Sequence, residues 1–214
     1  MSKVSVVVVA YRRLDTLEEV LKGWLAQCDD VWLADSSDKF TTELPIHHVK
    51  FSPDPGNVTR HAVALLTTGE YVIKADDDVV PSTGLADVLV EGCKRHPDSI
   101  VGIHGRTFRG ENYYGDTVCY SARTTNADTK VDFVGIITCT PRKYLAFDLT
   151  GCTSPIEDVF WQMGAFPCVG KYVIPTNEYT QLPTSEDNQS LFHTSDARTE
   201  RATYCREWYW RMHK

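Results

Sequence analysis

Three consecutive carboxylates, Asp76, Asp77 and Asp78, are the residues of this chain whose types and spacing best suit chemistry. Neighbouring carboxylates repel one another, so a fold that groups them commonly supplies a cation. Because every side-chain ligand is an oxygen atom, the run favours a hard ion, Mn²⁺ or Mg²⁺, whose remaining ligands are water and phosphate oxygens. The run therefore predicts a site for a metal ion and a diphosphate, with a solvated acidic turn as the plain alternative.

The elements around the triplet place it at the edge of a sheet. An apolar segment, Tyr71–Ala75, runs directly into Asp76, and the β-branched segment Val4–Ala10 lies near the start of the chain. Such short, continuous apolar runs indicate parallel strands covered on both faces. Asp15 with Glu18 predicts a capping box at the first helix. Strands are predicted at 4–10, 31–35, 46–51, 71–75, 100–103 and 131–140, and helices at about 14–25, 58–66, 85–93, 157–163 and 198–211.

This alternation predicts an α/β fold with a doubly wound, mostly parallel open sheet flanked by helices. Such sheets bind ligands beyond the carboxyl ends of their strands. A length of 214 residues with 42% apolar residues suits a single domain over 1–214. Between Gly105 and Lys130 the sequence is polar and lacks clear periodicity, so an irregular, substrate-facing region is expected there.

Charge and cysteine content narrow the class of protein. The formal net charge is −7 and no block of Lys or Arg is present, which disfavours a general nucleic-acid-binding module. The seven cysteines contain no Cys-x-x-Cys pair, which favours reduced thiols in a cytoplasmic protein over a zinc site. The first apolar run is too short to cross a bilayer and has no signal-peptide cleavage region, so no membrane span is expected.

Four features, in their order and approximate spacing, resemble the GT-A glycosyltransferases. They are the start Val4–Arg13, the strand-end Asp35, the run Asp76–Val79 and the pair Glu157-Asp158. The large inverting family two is similar over about the first hundred residues. The exostosin-type transferases of heparan-sulfate synthesis are similar over more of the chain, at His96–Gly102, at Val134–Ile136, at the Glu-Asp pair, and loosely at Arg201 with Cys205.

The resemblance implies a metal-dependent hexosyl- or pentosyltransferase. Such an enzyme moves a sugar from a nucleotide diphosphate sugar, preferably a UDP-sugar, to an acceptor hydroxyl, here expected on a saccharide. Residues of about 1–104 would form the nucleotide-sugar-binding half of the single domain. Residues of about 105–214 would form the acceptor-binding half and the C-terminal tail, where Tyr113, Tyr114 and Tyr120 are candidates for stacking on a glycan.

The resemblance also implies roles for individual residues at the donor. Arg60, at the start of a helix, suits a diphosphate, with a surface cation as the alternative. Arg198 and Arg201 would reach the diphosphate from the tail and stabilise the leaving group, unless they lie on a solvated helix face. The implied nucleotide-sugar contacts are Ala10, Tyr11 near the base, Arg12 near the phosphates, Asp35 at the base or ribose, Asn57, Arg60, Asp76 at the ribose or sugar, Asp77, Arg198 and Arg201. The implied metal ligands are Asp78, Asp76 and His193.

The pair Glu157-Asp158 would carry the reaction itself. In an inverting enzyme Asp158 would remove the proton of the acceptor hydroxyl as its oxygen attacks the anomeric carbon. In a retaining enzyme the same acid would stabilise an oxocarbenium-like state or position the acceptor. Acidic residues that favour the dipole at a helix N-terminus are the structural alternative.

Three other functions compete with transfer to a saccharide. A virus that glycosylates hydroxymethylated bases of its own DNA would encode a compact enzyme of this kind and use it in the host cytoplasm. A nucleotidyltransferase would carry a glycine-rich loop after the first strand, and Ala10–Leu14 contains no glycine. A non-catalytic sugar-nucleotide-binding or scaffold protein would have no need of three clustered acids beside an arginine.

Overall fold

A computed structural model describes residues 3–10, 13–37, 39–148, 150, 152–153, 156–182 and 195–213. Strands and helices alternate through the first half of the chain. The elements are β1 (Val4–Ala10), α1 (Leu17–Leu25), β2 (Asp30–Asp35), β3 (His47–Lys50), α2 (Thr59–Leu66), β4 (Tyr71–Ala75), β5 (Val79–Pro81), α3 (Leu85–Arg95), β6 (Ser99–Phe108), β7 (Thr117–Ser121), β8 (Thr129–Lys130), β9 (Phe133–Pro141), α4 (Glu157–Val159), β10 (Gly170–Val173), β11 (Tyr179–Gln181) and α5 (Ser195–His213).

In the described residues the main sheet has nine strands in the order β3-β2-β1-β4-β9-β6-β10-β8, with β7 paired to β6. The first four strands of this order are parallel, whereas β9 runs antiparallel between β4 and β6. A separate antiparallel pair joins β5 to β11. The open α/β sheet flanked by helices confirms the predicted fold class, although β9 makes the sheet mixed.

Both faces of β1 are covered, which explains its unbroken run of valines. Val6 and Val8 pack into the large core with α1 and α3. Val7 points to the opposite face, where it packs with Val63 and Ala64 of α2. Since successive residues of a strand face opposite sides, a strand buried on both sides has apolar residues at every position.

Two local predictions were wrong. The segment 105–130 is largely regular, because β6 continues to Phe108 and returns through the turn 109–116 as β7. Its polar side chains concealed the strands, since the sheet hydrogen bonds join backbone groups and leave one side of the hairpin open to solvent. The predicted capping box is also absent, because α1 begins at Leu17 after Thr16, with no hydrogen bond from a capping side chain.

The C-terminal helix α5 closes a second, smaller core. Cys205 of α5 is fully buried among Phe108 and Tyr113 of the hairpin, Phe133 of β9, and the segment that begins at Ile156. This packing sets α5 beside α4 and the hairpin. Among the described residues, no helix has both the length and the apolar character that crossing a bilayer requires.

A buried basic pair lies under the carboxyl end of β4. The Nζ atom of Lys74 is 3.4 Å from Nδ1 of His61 and 2.8 Å from the centre of the Trp161 ring. Burial lowers the pKa of His61 well below its ordinary value of 6.5, and the charge of Lys74 lowers it further. Burial likewise lowers the pKa of Lys74. Folding therefore makes protonation of both groups less favourable than it is in the unfolded chain.

We expect His61 to make the fold sensitive to acid. Because its pKa is lowered on folding, the unfolded chain binds the extra proton, and the stability present above the unfolded pKa is lost as the pH falls below it. For one group the free energy of unfolding decreases by up to ~1.4 kcal/mol per pH unit below about pH 6.5. Urea unfolding across this pH range measures the free energy of unfolding of the wild type and of His61→Gln. Its decrease with falling pH should be smaller in the variant.

The matched control for this prediction is His47→Gln, since the His47 side chain is 58% exposed. The control accounts for the loss of an imidazole at a largely exposed site. Parallel pH dependences in wild type and His61→Gln would contradict the prediction.

Candidate active site

Three parallel strands end side by side at one edge of the sheet. Ala10, the last residue of β1, pairs with Asp35, the last residue of β2, and Ala75 at the end of β4 pairs with Val8. The carbonyl oxygen of Ala10 also accepts a hydrogen bond from the backbone N–H of Ser36 at 3.0 Å. The acidic triplet begins one residue beyond β4, at the edge where open α/β sheets bind ligands.

Each carboxylate of the triplet faces a guanidinium. Asp76 Oδ1 lies 3.0 Å from Nη1 of Arg60, and Asp77 Oδ1 lies 2.8 Å from Nη2 of Arg13. The Nη1 group of Arg13 also donates to Oδ2 of Asp78. Arg13, at the loop after β1, thus bridges two members of the triplet.

The two arginines leave the triplet rich in negative charge. Burial raises the pKa of Asp77 to about 7, against the lowering effect of Arg13 and with a further raising effect of Asp76 and Asp78. Burial also raises the pKa of Asp76, despite Arg60. Carboxylates with raised pKa values are poised to gain a cation, because a positive charge lowers the cost of ionising them.

The oxygen donors of the triplet fit a hard divalent ion in chemical type. The described part of the chain contains no group of three or more His, Cys, Asp or Glu side chains arranged to hold a metal. An ion beside Asp76 and Asp78 would therefore take its other ligands from a diphosphate and water, as Mg²⁺ commonly does with one or two carboxylates. His193, the third predicted ligand, lies outside the described residues.

The pair Glu157-Asp158 lies close to the triplet. Nε of Arg60 is 3.4 Å from Oε1 of Glu157, so one arginine joins Glu157 to Asp76. The Glu157 side chain is 2% exposed, and burial followed by the charge of Asp158 raises its pKa. The Asp158 side chain is 23% exposed. The two acids therefore differ in access: Glu157 is buried and Asp158 is partly exposed.

A buried amide holds this acidic pair against the sheet. The side chain of Gln162 donates to the carbonyl of Val134 at 2.6 Å and accepts from its N–H at 2.9 Å, so it pairs with β9 as another strand would. Gln162 belongs to a π-helix, Phe160–Ala165, that continues α4. π-helical turns are rare and occur frequently at functional sites.

Several predicted donor residues lie at the same edge with partners of their own. Asp35 is fully buried, with Oδ1 accepting from Ser37 and Oδ2 2.8 Å from Nε2 of His48. Asn57 lies in a 3-10 turn, Gly56–Val58, that leads into α2. Tyr11 and Arg12 lie outside the described residues.

The two tail arginines lie in different surroundings. Arg198 is exposed on α5, with its guanidinium carbon 5.6 Å from the centre of the Tyr114 ring. Arg201 is largely buried, with Nη2 2.6 Å from Oδ1 of Asp158 and Nη1 3.1 Å from the Tyr113 hydroxyl. Arg201 thus contacts the Glu-Asp pair and not the triplet.

Sequence reasoning missed three residues of the site, Arg13, Lys74 and Gln162, and the hydrogen-bonding role of Tyr113. Only Arg13 had a signal, because it lies beside the predicted phosphate residue Arg12 in the loop after a strand. The others act through contacts that form between segments distant in sequence.

Comparisons with known proteins bear on the fold. No protein-family model matches the sequence, and no curated protein matches it. Among solved structures, the chain is similar to TarS 1-349 of S. aureus at 16% identity and a TM-score of 0.59, covering 83% of this chain and 59% of that one. The same TarS fragment in complex with UDP-GlcNAc and with UDP matches at 16% and 15% identity, each with a TM-score of 0.57 and over 83% of this chain, covering 57% and 59% of those chains.

The likeness shows a GT-A-like glycosyltransferase fold. The chain spans less than two thirds of the TarS chains that it matches. With no family model matched, the comparisons favour neither family two nor the exostosin-type transferases.

Proposed function

We propose that this chain is a glycosyltransferase that moves a sugar from a nucleotide diphosphate sugar to an acceptor hydroxyl. One observation carries the proposal: Arg60 joins the acidic triplet, through Asp76, to the buried end of the pair Glu157-Asp158. Arg60 therefore connects the proposed diphosphate-binding edge of a GT-A-like sheet to Glu157, the neighbour of the partly exposed Asp158. Residues of about 1–104 would hold the donor and residues of about 105–214 the acceptor.

The donor that we propose is a UDP-sugar. TarS, which shares the fold, has been solved with UDP-GlcNAc and with UDP. In this chain, Asn57 would contact the base or ribose, and Asp35 would do so once its carboxylate exchanges part of its bonding to Ser37 or His48. Arg60 would contact the diphosphate once it exchanges part of its bonding to Asp76. A guanidinium suits this role because its fork of N–H groups matches two phosphate oxygens.

A divalent ion, Mn²⁺ or Mg²⁺, would complete the donor site beside Asp76 and Asp78. When bound, such an ion supplies positive charge that stabilises the diphosphate leaving group. Arg13 holds Asp77 and Asp78 and keeps the triplet compact before the donor arrives. The Arg13 guanidinium and the ion would then together balance the negative charges of the triplet and the diphosphate.

Asp158 would act as the general base. Its carboxylate takes the proton of the acceptor hydroxyl, the acceptor oxygen forms a bond to the anomeric carbon, and the bond from that carbon to the phosphate oxygen breaks, with its electron pair leaving on the diphosphate. Glu157 is 2% exposed and ion-paired with Arg60, so Glu157 itself is not placed to act as a nucleophile. With Asp158 as the base, the reaction is a single displacement that inverts the anomeric carbon.

A saccharide is the acceptor that the exposed aromatic residues favour. Tyr114 and Trp210 are 36% and 44% exposed, and flat rings suit the apolar faces of sugars. The net charge of −7 gives no general attraction to the phosphates of DNA, the other acceptor considered. A scaffold role does not explain why the chain buries several charged side chains around Arg60, since burying charges is costly.

Donor binding should raise the melting temperature only in the presence of a metal. A ligand at about 100 times its Kd stabilises the folded state by ~2.7 kcal/mol, which for a domain of this size is roughly 5–10 °C. A thermal-shift screen of nucleotide diphosphates and their sugars, with Mn²⁺, Mg²⁺ or EDTA, tests this. A shift for uridine nucleotides that EDTA removes is the expected result; no shift with any nucleotide would overturn the proposed function.

A further inference from the structure

The two oxygens of the Asp158 carboxylate have different surroundings. Oδ1 accepts two hydrogen bonds, one from the backbone N–H of Val159 at 2.8 Å and one from Nη2 of Arg201 at 2.6 Å. Oδ2 accepts none from the residues that the structure describes. The carboxylate is therefore held by one oxygen, and the other oxygen is the one with lone pairs available to a hydroxyl group.

Arg201 is itself fixed on several sides. Its Nη1 group donates to the hydroxyl of Tyr113 at 3.1 Å. Its guanidinium carbon lies 5.5 Å from the centre of the Tyr113 ring and 5.9 Å from the centre of the Phe133 ring. The side chain is 12% exposed. A guanidinium that lies between two rings and donates hydrogen bonds from both Nη1 and Nη2 has little freedom to rotate.

These contacts join three elements. Arg201 comes from α5, Asp158 from α4, and Tyr113 from the turn between β6 and β7. The hydroxyl of Tyr113 accepts from Arg201, and Arg201 donates to Asp158, so the turn restricts the carboxylate through the arginine. Burial raises the pKa of Tyr113 to about 12, so the hydroxyl stays neutral and keeps its proton.

We propose that Arg201 is a positioning residue for Asp158, that Tyr113 anchors it, and that Oδ2 is the atom that receives the acceptor proton. The inference rests on the proposed function and adds which oxygen acts and what holds it. A general base must meet its proton at hydrogen-bonding distance and in the correct direction. Binding Oδ1 to two donors leaves Oδ2 as the one oxygen able to do so.

This role differs from the diphosphate contact implied by the sequence resemblance. An arginine that binds the diphosphate contributes to donor affinity, so its loss raises the Kd for the donor. An arginine that orients the base contributes to turnover, so its loss lowers kcat at saturating donor and leaves the Kd unchanged. The division between kcat and donor Kd therefore separates the two roles, and a role in folding alone changes neither quantity for the folded fraction.

Two conservative variants test the proposal. Tyr113→Phe keeps the ring and removes only the anchoring hydroxyl, and Arg201→Lys keeps the charge but loses the fork that reaches both partners. Arg206→Ala is the matched control, because Arg206 is an exposed arginine on the same helix. Donor Kd is measured by calorimetry with UDP-GlcNAc, and turnover is measured as UDP release at saturating UDP-GlcNAc, with water and with a saccharide panel as acceptors.

We expect Tyr113→Phe to lower kcat about tenfold and Arg201→Lys about a hundredfold, the scale on which a misplaced catalytic group slows a reaction. Donor Kd should stay within about twofold in both variants, and Arg206→Ala should match the wild type. Turnover unchanged in both variants, or a loss seen only in donor Kd, would overturn the positioning role while leaving the proposed function intact. A wild-type chain that neither binds nor turns over any nucleotide diphosphate sugar of the thermal-shift screen would instead overturn the proposed function, and this inference with it.

Discussion

Replacing Asp158 with asparagine is expected to lower turnover about a thousandfold, the middle of the range that a general base contributes. Asparagine preserves the size of the side chain, and its oxygen still accepts from Val159 and Arg201. The amide nevertheless takes no proton from an acceptor hydroxyl. Donor affinity should be almost unchanged, because in the proposed mechanism Asp158 contacts the acceptor hydroxyl and not the donor. UDP release at saturating donor, with calorimetric donor Kd, measures both quantities.

The control for this substitution is Asp29→Asn, which removes an exposed carboxylate outside the site. A second comparison is Glu157→Gln, since Glu157 is buried and ion-paired with Arg60. If Asp158 is the base, Glu157→Gln acts through Arg60 and should affect donor affinity more than Asp158→Asn does. Wild-type turnover in Asp158→Asn would remove the general base from the mechanism.

The sheet edge was predictable because its signals are local. A run of β-branched residues such as Val4–Ala10 specifies a strand buried on both faces, and carboxylates directly after a strand must lie at its carboxyl end. The position of Asp76 at the same edge of the sheet as Ala10 and Asp35 then follows from the shared direction of the parallel strands. The helical acidic pair was also visible, because Glu157-Asp158 precedes a run of apolar residues.

The contacts that join the two acidic groups were not predictable in the same way. Arg60 was identified as a partner for a diphosphate, yet its simultaneous contact with Asp76 and Glu157 depends on where α4 docks. Docking of α4 depends in turn on Gln162, an amide whose pairing with β9 has no pattern in the sequence. Side chains that bond across long separations become visible only when the chain is folded.

The hairpin illustrates a second limit. Its polar residues, around Arg106 and Tyr120, obscure the alternation that identifies a strand, because one side of the hairpin is open to solvent.

Ile136 on β9 adopts a left-handed conformation, with φ of 68°, close to a register shift between β6 and β9. This conformation could not be predicted from the sequence, because glycine and asparagine adopt it far more readily than a β-branched residue such as isoleucine.

Replacing Asp78 with asparagine should separate donor binding from stability. The variant keeps an oxygen that can accept from Arg13, and it removes one of the three charges that crowd the triplet. Because the charges of Asp76 and Asp78 help raise the pKa of Asp77, losing one of them relieves repulsion in the folded chain. Without metal or nucleotide, the melting temperature should therefore equal or exceed that of the wild type.

The same substitution should nevertheless reduce metal-dependent donor binding on the order of a hundredfold, the upper end of losses seen for groups that support a metal. The exposed residue Asp87, changed to asparagine, supplies the control for losing one negative charge. Thermal shifts with UDP-GlcNAc and Mn²⁺ give both quantities in one experiment. A variant that is stable but shows no thermal shift with UDP-GlcNAc and Mn²⁺ would identify Asp78 as part of the donor site. The repulsion among the carboxylates would then be a cost in stability that donor binding requires. A variant that responds like the wild type would place the diphosphate on the arginines alone, with Arg13 and Arg60 supplying the positive charge.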